Sequence, residues 1–155
     1  MASDTPQDAH STLPIEQITP GVHRELYALW LGKLSGKRLP ARGDFDPLEM
    51  PRLLPYVTLF DVEYEPIRFY VRLAGTAIAE GIGMEFTGHY LDEMENIENT
   101  LERCVRLVET RQPYFHASLP LVWSQNDFRS YSVLGLPLAT DGETVDMILG
   151  ALTFD

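Results

Sequence analysis

The run of residues 68–94, RFYVRLAGTAIAEGIGMEFTGHYLDEM, constrains the fold more than any other part of the chain. Arg68 to Ala74 alternates as a strand does and stops at Gly75-Thr76. Residues 76–81 hold about one and a half turns of helix at 3.6 residues per turn. Gly81, Gly83 and the Thr87-Gly88 turn then interrupt the pattern. The main helix is expected from about Asn96 to Arg111, closed by Gln112-Pro113. Ile97, Leu101, Cys104, Val105 and Val108 make its apolar face. Glu93, Glu95 and Glu98 lie near its start and Arg103, Arg106 and Arg111 towards its end, as the helix dipole favours. Three strand-like runs follow, at residues 114–124, 129–138 and 144–154. Gln125-Asn126-Asp127 and Asp141-Gly142 supply the turns between them.

Upstream, residues 57–65 (VTLFDVEYE) alternate as a strand, and Pro66 marks a turn into the strand at 68–74, so the two form an antiparallel hairpin. Two strands, a compact helical crossing and three strands describe a small α+β domain. Residues 1–19 are rich in Ser, Thr, Asp, Gln and Pro and are expected to be a disordered arm. From Pro20 onwards Val22, Leu26, Leu29, Trp30 and Leu34 recur at helical spacing, with Thr19 as the expected N-cap and Gly36 as the stop. Tyr27 and Leu31 widen that stripe, so the helix needs cover on more than one side. On this reading Leu26, Leu29, Trp30 and Leu34 form the interface of a homodimer. Asp46-Pro47 opens a second helix that Pro51 keeps short. The expected division is a disordered arm at 1–19, an N-terminal helical segment at 20–56 and the α+β domain at 57–155.

A chain of 155 residues suits one domain, and its formal net charge of −11 disfavours nucleic acid and anionic membrane surfaces as partners. Cys104 is the single cysteine, so stability must come from packing, and no disulfide can form within the chain. No apolar run approaches the roughly 20 residues that span a bilayer. The first residues have neither a basic start nor an apolar core of the signal-peptide kind. Together these read as a cytoplasmic protein.

An apolar helix before LPARGDFDP, the passage LLPYVTLFDV, then RFYVRLAGT with TGHYLDEM, and finally LGLPLATDGETVDMILGAL follow one another with a spacing that resembles the PAS domain. The likeness runs over roughly residues 22–154 and is nearest to a stand-alone bacterial branch of unassigned chemistry. It implies a five-stranded antiparallel sheet in the order 2-1-5-4-3 with the connecting helices on one face. The N-terminal helix would lie outside that core, near the other face or against a partner. It also implies a site between sheet and helices, or a docking surface instead.

Candidate ligand-binding residues follow from strand parity and from the helix face. Tyr70 and Arg72 share a parity in the second strand, where Arg72 could clamp a carboxylate through its paired donors. His116 and Ser118 share one in the third strand, and the polar parity is expected to face outwards. Trp123 and Tyr131 could wall a pocket. Haem-bearing PAS domains usually take an axial His from the long helix. This helix has none, which leaves Cys104 as a thiolate ligand or as a small buried hydrophobe. The flavin-photochemistry motif is missing around Asn99–Cys104, and no cofactor is identified.

Nucleophile elbows, phosphate-binding loops and metal-ligand spacings are absent from the sequence. No catalytic or metal-binding residue is assigned, and a non-enzyme is expected. The leading reading is a sensory and signalling module that binds a small molecule or a protein and acts in trans by conformational change. One alternative is a ligand-free interaction scaffold. The other is a small cone-shaped isomerase or dehydratase, which would need His116 to face a carboxylate.

Overall fold

The computed structural model of the protein describes residues 13–36, 38–121 and 130–155. Its elements run α1 (Val22–Gly32), β1 (Val57–Glu63), β2 (Arg68–Ala74), α2 (Thr76–Ile82), α3 (Glu98–Thr110), β3 (Tyr114–Pro120), β4 (Ser130–Leu138) and β5 (Met147–Phe154). The five strands form one antiparallel sheet in the order β2-β1-β5-β4-β3, the order implied by the PAS resemblance.

Period-two alternation gives every strand two faces. Phe60, Val62, Phe69, Val71, Tyr131, Val133, Ile148 and Leu152 take one parity and pack beneath α2, α3 and the connection between them. Leu59, Leu134, Leu136, Leu138, Leu149 and Ala151 take the other and are also buried. This second face explains why β4 is buried along nearly its whole length. A sheet covered on both sides needs apolar residues at both parities.

The cover on the second face is the N-terminal segment. Trp30 and His23 of α1 hydrogen-bond to the β4 carbonyls of Pro137 and Ser132. Phe45, Met50 and Leu54 from the following turns meet Leu59, Leu138 and Leu149. The helix is therefore near the other face, as expected, but its apolar stripe is satisfied within one chain. Leu26 and Trp30 are 0% exposed, and Tyr27 with them. Leu29 and Leu34 are half-buried against the same core. The sequence argument that this stripe requires a second chain is corrected: the outer sheet face supplies the partner surface.

Two boundary expectations also change. The arm is tied down from Leu13, whose carbonyl accepts from the Tyr27 hydroxyl at 2.8 Å, and Ile18 is wholly buried. Residues 13–19 thus belong to the folded body. Helix α1 starts at Val22 after Gly21 at φ 108°, and not at Pro20 behind a Thr19 cap. Asp46 does act as a cap, accepting from the Leu48 N–H at 3.0 Å, while Glu49 reaches back to the Asp46 N–H. Pro51 follows, and only a single 3₁₀ turn forms over Pro47–Glu49.

Candidate functional site

Between α3 and the sheet lies a cavity of about 40 Å³. Phe60, Ile97, Val133, Ile148 and Leu152 supply much of its wall, and Phe86, Leu91 and Met94 join from the connection after α2. Inside this apolar lining one hydrogen-bonded polar group gathers. Thr100 and Arg103 stand three residues apart on α3, so they share a face. The Arg103 Nη2 donates to the Thr100 Oγ1 at 3.2 Å and to the Tyr131 hydroxyl at 2.8 Å. Tyr131 reaches the group through the cavity-facing parity of β4.

Glycines make the room. Gly135 of β4 and Gly150 of β5 are register partners, so two side chains are missing side by side on the cavity face. The Tyr114 ring of β3 lies over Gly135, where any Cβ would collide with it. A Cβ on Gly150 would stand 2.5 Å from the Thr58 Oγ1. The trough is thus part filled by an aromatic ring from the neighbouring strand and part left open.

The electrostatics follow from burial next to one cation. The guanidinium carbon of Arg103 lies 5.8 Å from the Tyr114 ring centroid and 5.9 Å from that of Tyr131. Burial pushes the Tyr114 phenol well above its ordinary range, so it stays a donor. Burial also pushes the Cys104 thiol up to about 12, against the weaker opposing effects of a Tyr114 hydrogen bond and the Arg103 charge. His116 is lowered, first by burial and then by the charge of Arg103. Among the described residues, no cluster of His, Cys, Asp and Glu could hold a metal ion. Among them too, no helix is long and apolar enough to cross a membrane.

A family profile described as the PAS domain matches residues 19–153. The chain belongs to the PAS domain family. Members of that family are, in general, sensory and signalling modules. Among solved structures, the PAS domain of the histidine kinase ThkA is similar to this chain. It has 9% identity and a TM-score of 0.48, over 63% of this chain and 97% of that one. No curated protein matches the chain.

Several residues singled out by sequence converge in this PAS domain. Tyr131 lines the cavity, and Cys104 sits behind it against Tyr114, wholly buried. A neutral, enclosed thiol of this kind behaves as a small hydrophobe and is a poor thiolate ligand. His116 lies at an exposed groove beside the cavity, with Arg103 and Tyr114. Tyr114 and His116 therefore lie on the α3 side of β3, but His116 and Ser118 are both exposed there. Phe115, on the other parity, packs at 5.3 Å against His23 of α1. Among the described residues His116 has no carboxylate partner, and the charge it feels is that of Arg103, so the acid/base pair of a cone-fold enzyme is not assembled there.

Other candidates stand elsewhere. Ser118 sits in a bulge at φ 58°, is exposed, and donates its N–H to the Ser132 Oγ at 3.1 Å. Phe69 and Val71 take the core side of β2, which turns Tyr70 and Arg72 away from the cavity. Tyr70 packs on Tyr90 at 5.3 Å. Arg72 does clamp a carboxylate, but that of Asp61, with its Nε 2.8 Å from the Oδ2. With Arg72 58% exposed, that pair is screened by solvent and adds little to stability. Trp123 lies outside the described residues. Arg103, the central polar group, was assigned by sequence only to the charge pattern of the helix.

Proposed function

We propose that this PAS domain senses a small molecule held between α3 and the sheet, and that it reports occupancy to a partner protein by changing how its helices pack. One observation carries this reading: an apolar lining that encloses a single hydrogen-bonded polar group, Thr100, Arg103 and Tyr131. Sites for small molecules have that composition, mostly apolar with a few converging polar groups to fix orientation. The connection after α2 supports a conformational report. It contributes Phe86, Leu91 and Met94 to the cavity yet contains left-handed glycines at Gly83 and Gly88 and only a 3₁₀ turn at Leu91–Glu93. Ligand contacts that favour one position of this cover would shift the population of states.

Native mass spectrometry of the freshly purified protein, with amide-resonance mapping against a library of small fragments, tests the proposal. The expected result is a dissociable adduct or fragment hits, with shifts centred on Ile97, Thr100, Val133 and Ile148. No adduct, together with no fragment that moves those resonances, overturns it.

The size of the cavity favours a second reading. At about 40 Å³ it is well below the roughly 150 Å³ of an engineered cavity that accepts benzene. A closed interior of that size also suits a ligand-free scaffold that docks a signalling protein through its outer surface. The same experiment separates the two, because a scaffold leaves the interior resonances unmoved.

A further inference from the structure

We infer that Arg103 is an anion-recognition group and that the cavity takes a short monocarboxylate, on the scale of acetate. The inference rests on the ligand-sensing reading above and names its ligand class.

The chain carries 23 acidic residues against 12 Lys and Arg, so carboxylates are plentiful. Arg68, Arg72, Arg52 and Lys33 each find one on the surface. Arg103 is half-buried between the cavity and the neighbouring groove, and among the described residues it makes no ion pair. Its Nη2 meets only neutral oxygens, those of Thr100 and Tyr131. Its Nε is buried with no acceptor. A half-buried guanidinium favours an anion, and its unsatisfied buried Nε is costly. Either need alone could be met by water. Both are met together by a carboxylate, which matches the donor spacing of a guanidinium.

The rest of the lining narrows the choice. The Tyr131 hydroxyl accepts from Arg103, and Thr58 also lines the cavity. Beyond this polar group the walls are Phe60, Ile97, Ile148 and Leu152, which suit a short alkyl body. A cavity of about 40 Å³ holds about three water molecules, a volume that excludes aromatic acids unless the cover opens. One cation in an apolar wall, inside a domain of net charge −11, suits a monoanion and disfavours phosphate or a dicarboxylate.

The test is isothermal titration calorimetry, with resonance mapping, of acetate and propionate at constant ionic strength, each compared with its neutral amide. Carboxylates are expected to bind at least tenfold tighter than the amides and to move the Thr100 and Arg103 resonances. Arg103→Gln removes that preference, and Arg103→Lys restores only part of it. Should Arg103→Gln fail to fold, Tyr131→Phe keeps the ring, and a several-fold loss for carboxylates with no change for amides is expected. Amides binding as well as carboxylates would overturn the inference while leaving a small-molecule sensor standing. Failure of both to move any cavity resonance sinks this inference and counts against the sensor.

Discussion

The indole Nε1 of Trp30 donates to the carbonyl oxygen of Pro137 at 3.0 Å, and both residues are buried within a single chain. This bond fixes α1 across the outer face of β4 and closes a core that would otherwise be half a sheet. Trp30→Ala is expected to cost about 3–5 kcal/mol, from lost area and a residual void. Against the 5–15 kcal/mol of an ordinary domain, that is a large share. Trp30→Phe keeps most of the apolar volume and strands one acceptor, for about 1–3 kcal/mol. Urea midpoints for the three proteins check the ranking. A normal midpoint for Trp30→Ala, with a changed oligomeric state, would return this residue to an interface between chains.

His23 ties folding to pH. It is 3% exposed, its Nε2 lies 3.1 Å from the Ser132 carbonyl oxygen, and burial lowers its pKa from 6.5. The Ser132 hydrogen bond and the charge of Asp155 oppose that shift without cancelling it. The unfolded chain takes up a proton near 6.5 while the folded one still refuses it. Stability from this residue is therefore complete above that pH and drains away as pH falls towards the lower folded value. His116 adds a smaller effect of the same sign, being more exposed. The lowered carboxylates Asp92, Asp141, Glu93 and Glu85 lose their contributions only nearer their own range, in more acid solution. Urea midpoints should fall between pH 7.5 and 5.5 in the native protein and fall less in His23→Gln. Equal slopes in the two proteins would show that His23 is not the group responsible.

The succession of elements along the chain was legible because each strand carries its own period and its own turn residues, while their order in the sheet came from the PAS resemblance. Arg68 to Ala74 appears as read, and Thr76–Ile82 extends the short helix by one residue. What could not be read was which parity faces which layer. Strand alternation separates Tyr114 and His116 from Phe115, but only the position of α1 decides that Phe115 goes to the outer face. The same helix shows the limit of such patterns: Leu26 and Trp30 are covered within the chain, and an apolar stripe records a need for cover and not its source. Arg103 was hidden for a related reason. Its position towards the end of α3 already satisfied a dipole argument, so nothing in the sequence asked for more. The signal that could have found it is the Thr100, Arg103 and Leu107 series, which puts a cation on the same face as a buried leucine.

Gly135 should tolerate no side chain. The Tyr114 ring crosses from β3 to lie where a Cβ would stand, and the ring is held there by its contact with Cys104. Gly135→Ala must push the ring outwards or bend β4. Such overpacking typically costs about 1–3 kcal/mol. Gly43 is the control, with nothing within 4 Å of its built Cβ, and Gly43→Ala is expected to stay within about 0.5 kcal/mol of the native protein. Combining Gly135→Ala with Tyr114→Ala should give a loss smaller than the sum of the two, since the second change removes what the first collides with. Simple additivity would mean that the ring and the glycine do not meet in solution.

Cys104 should be silent to thiol reagents until the domain opens. It is 0% exposed, and burial carries its pKa from 9.0 to about 12. The thiolate is the reactive form, so that shift alone cuts its fraction at neutral pH by about a thousandfold. Enclosure by Tyr114 and the α3 backbone then denies the reagent access. Alkylation by iodoacetamide in native buffer should therefore track transient opening and accelerate steeply near the urea midpoint. Cys104→Ala removes a small buried group, and Cys104→Ser puts a hydroxyl in its place beside Tyr114. If hydrogen bonding to Tyr114 matters more than apolar packing, serine should be the milder change. If the thiol acts as a hydrophobe, alanine should be. Labelling of the folded protein as fast as that of the unfolded chain would show that α3 does not seal this site.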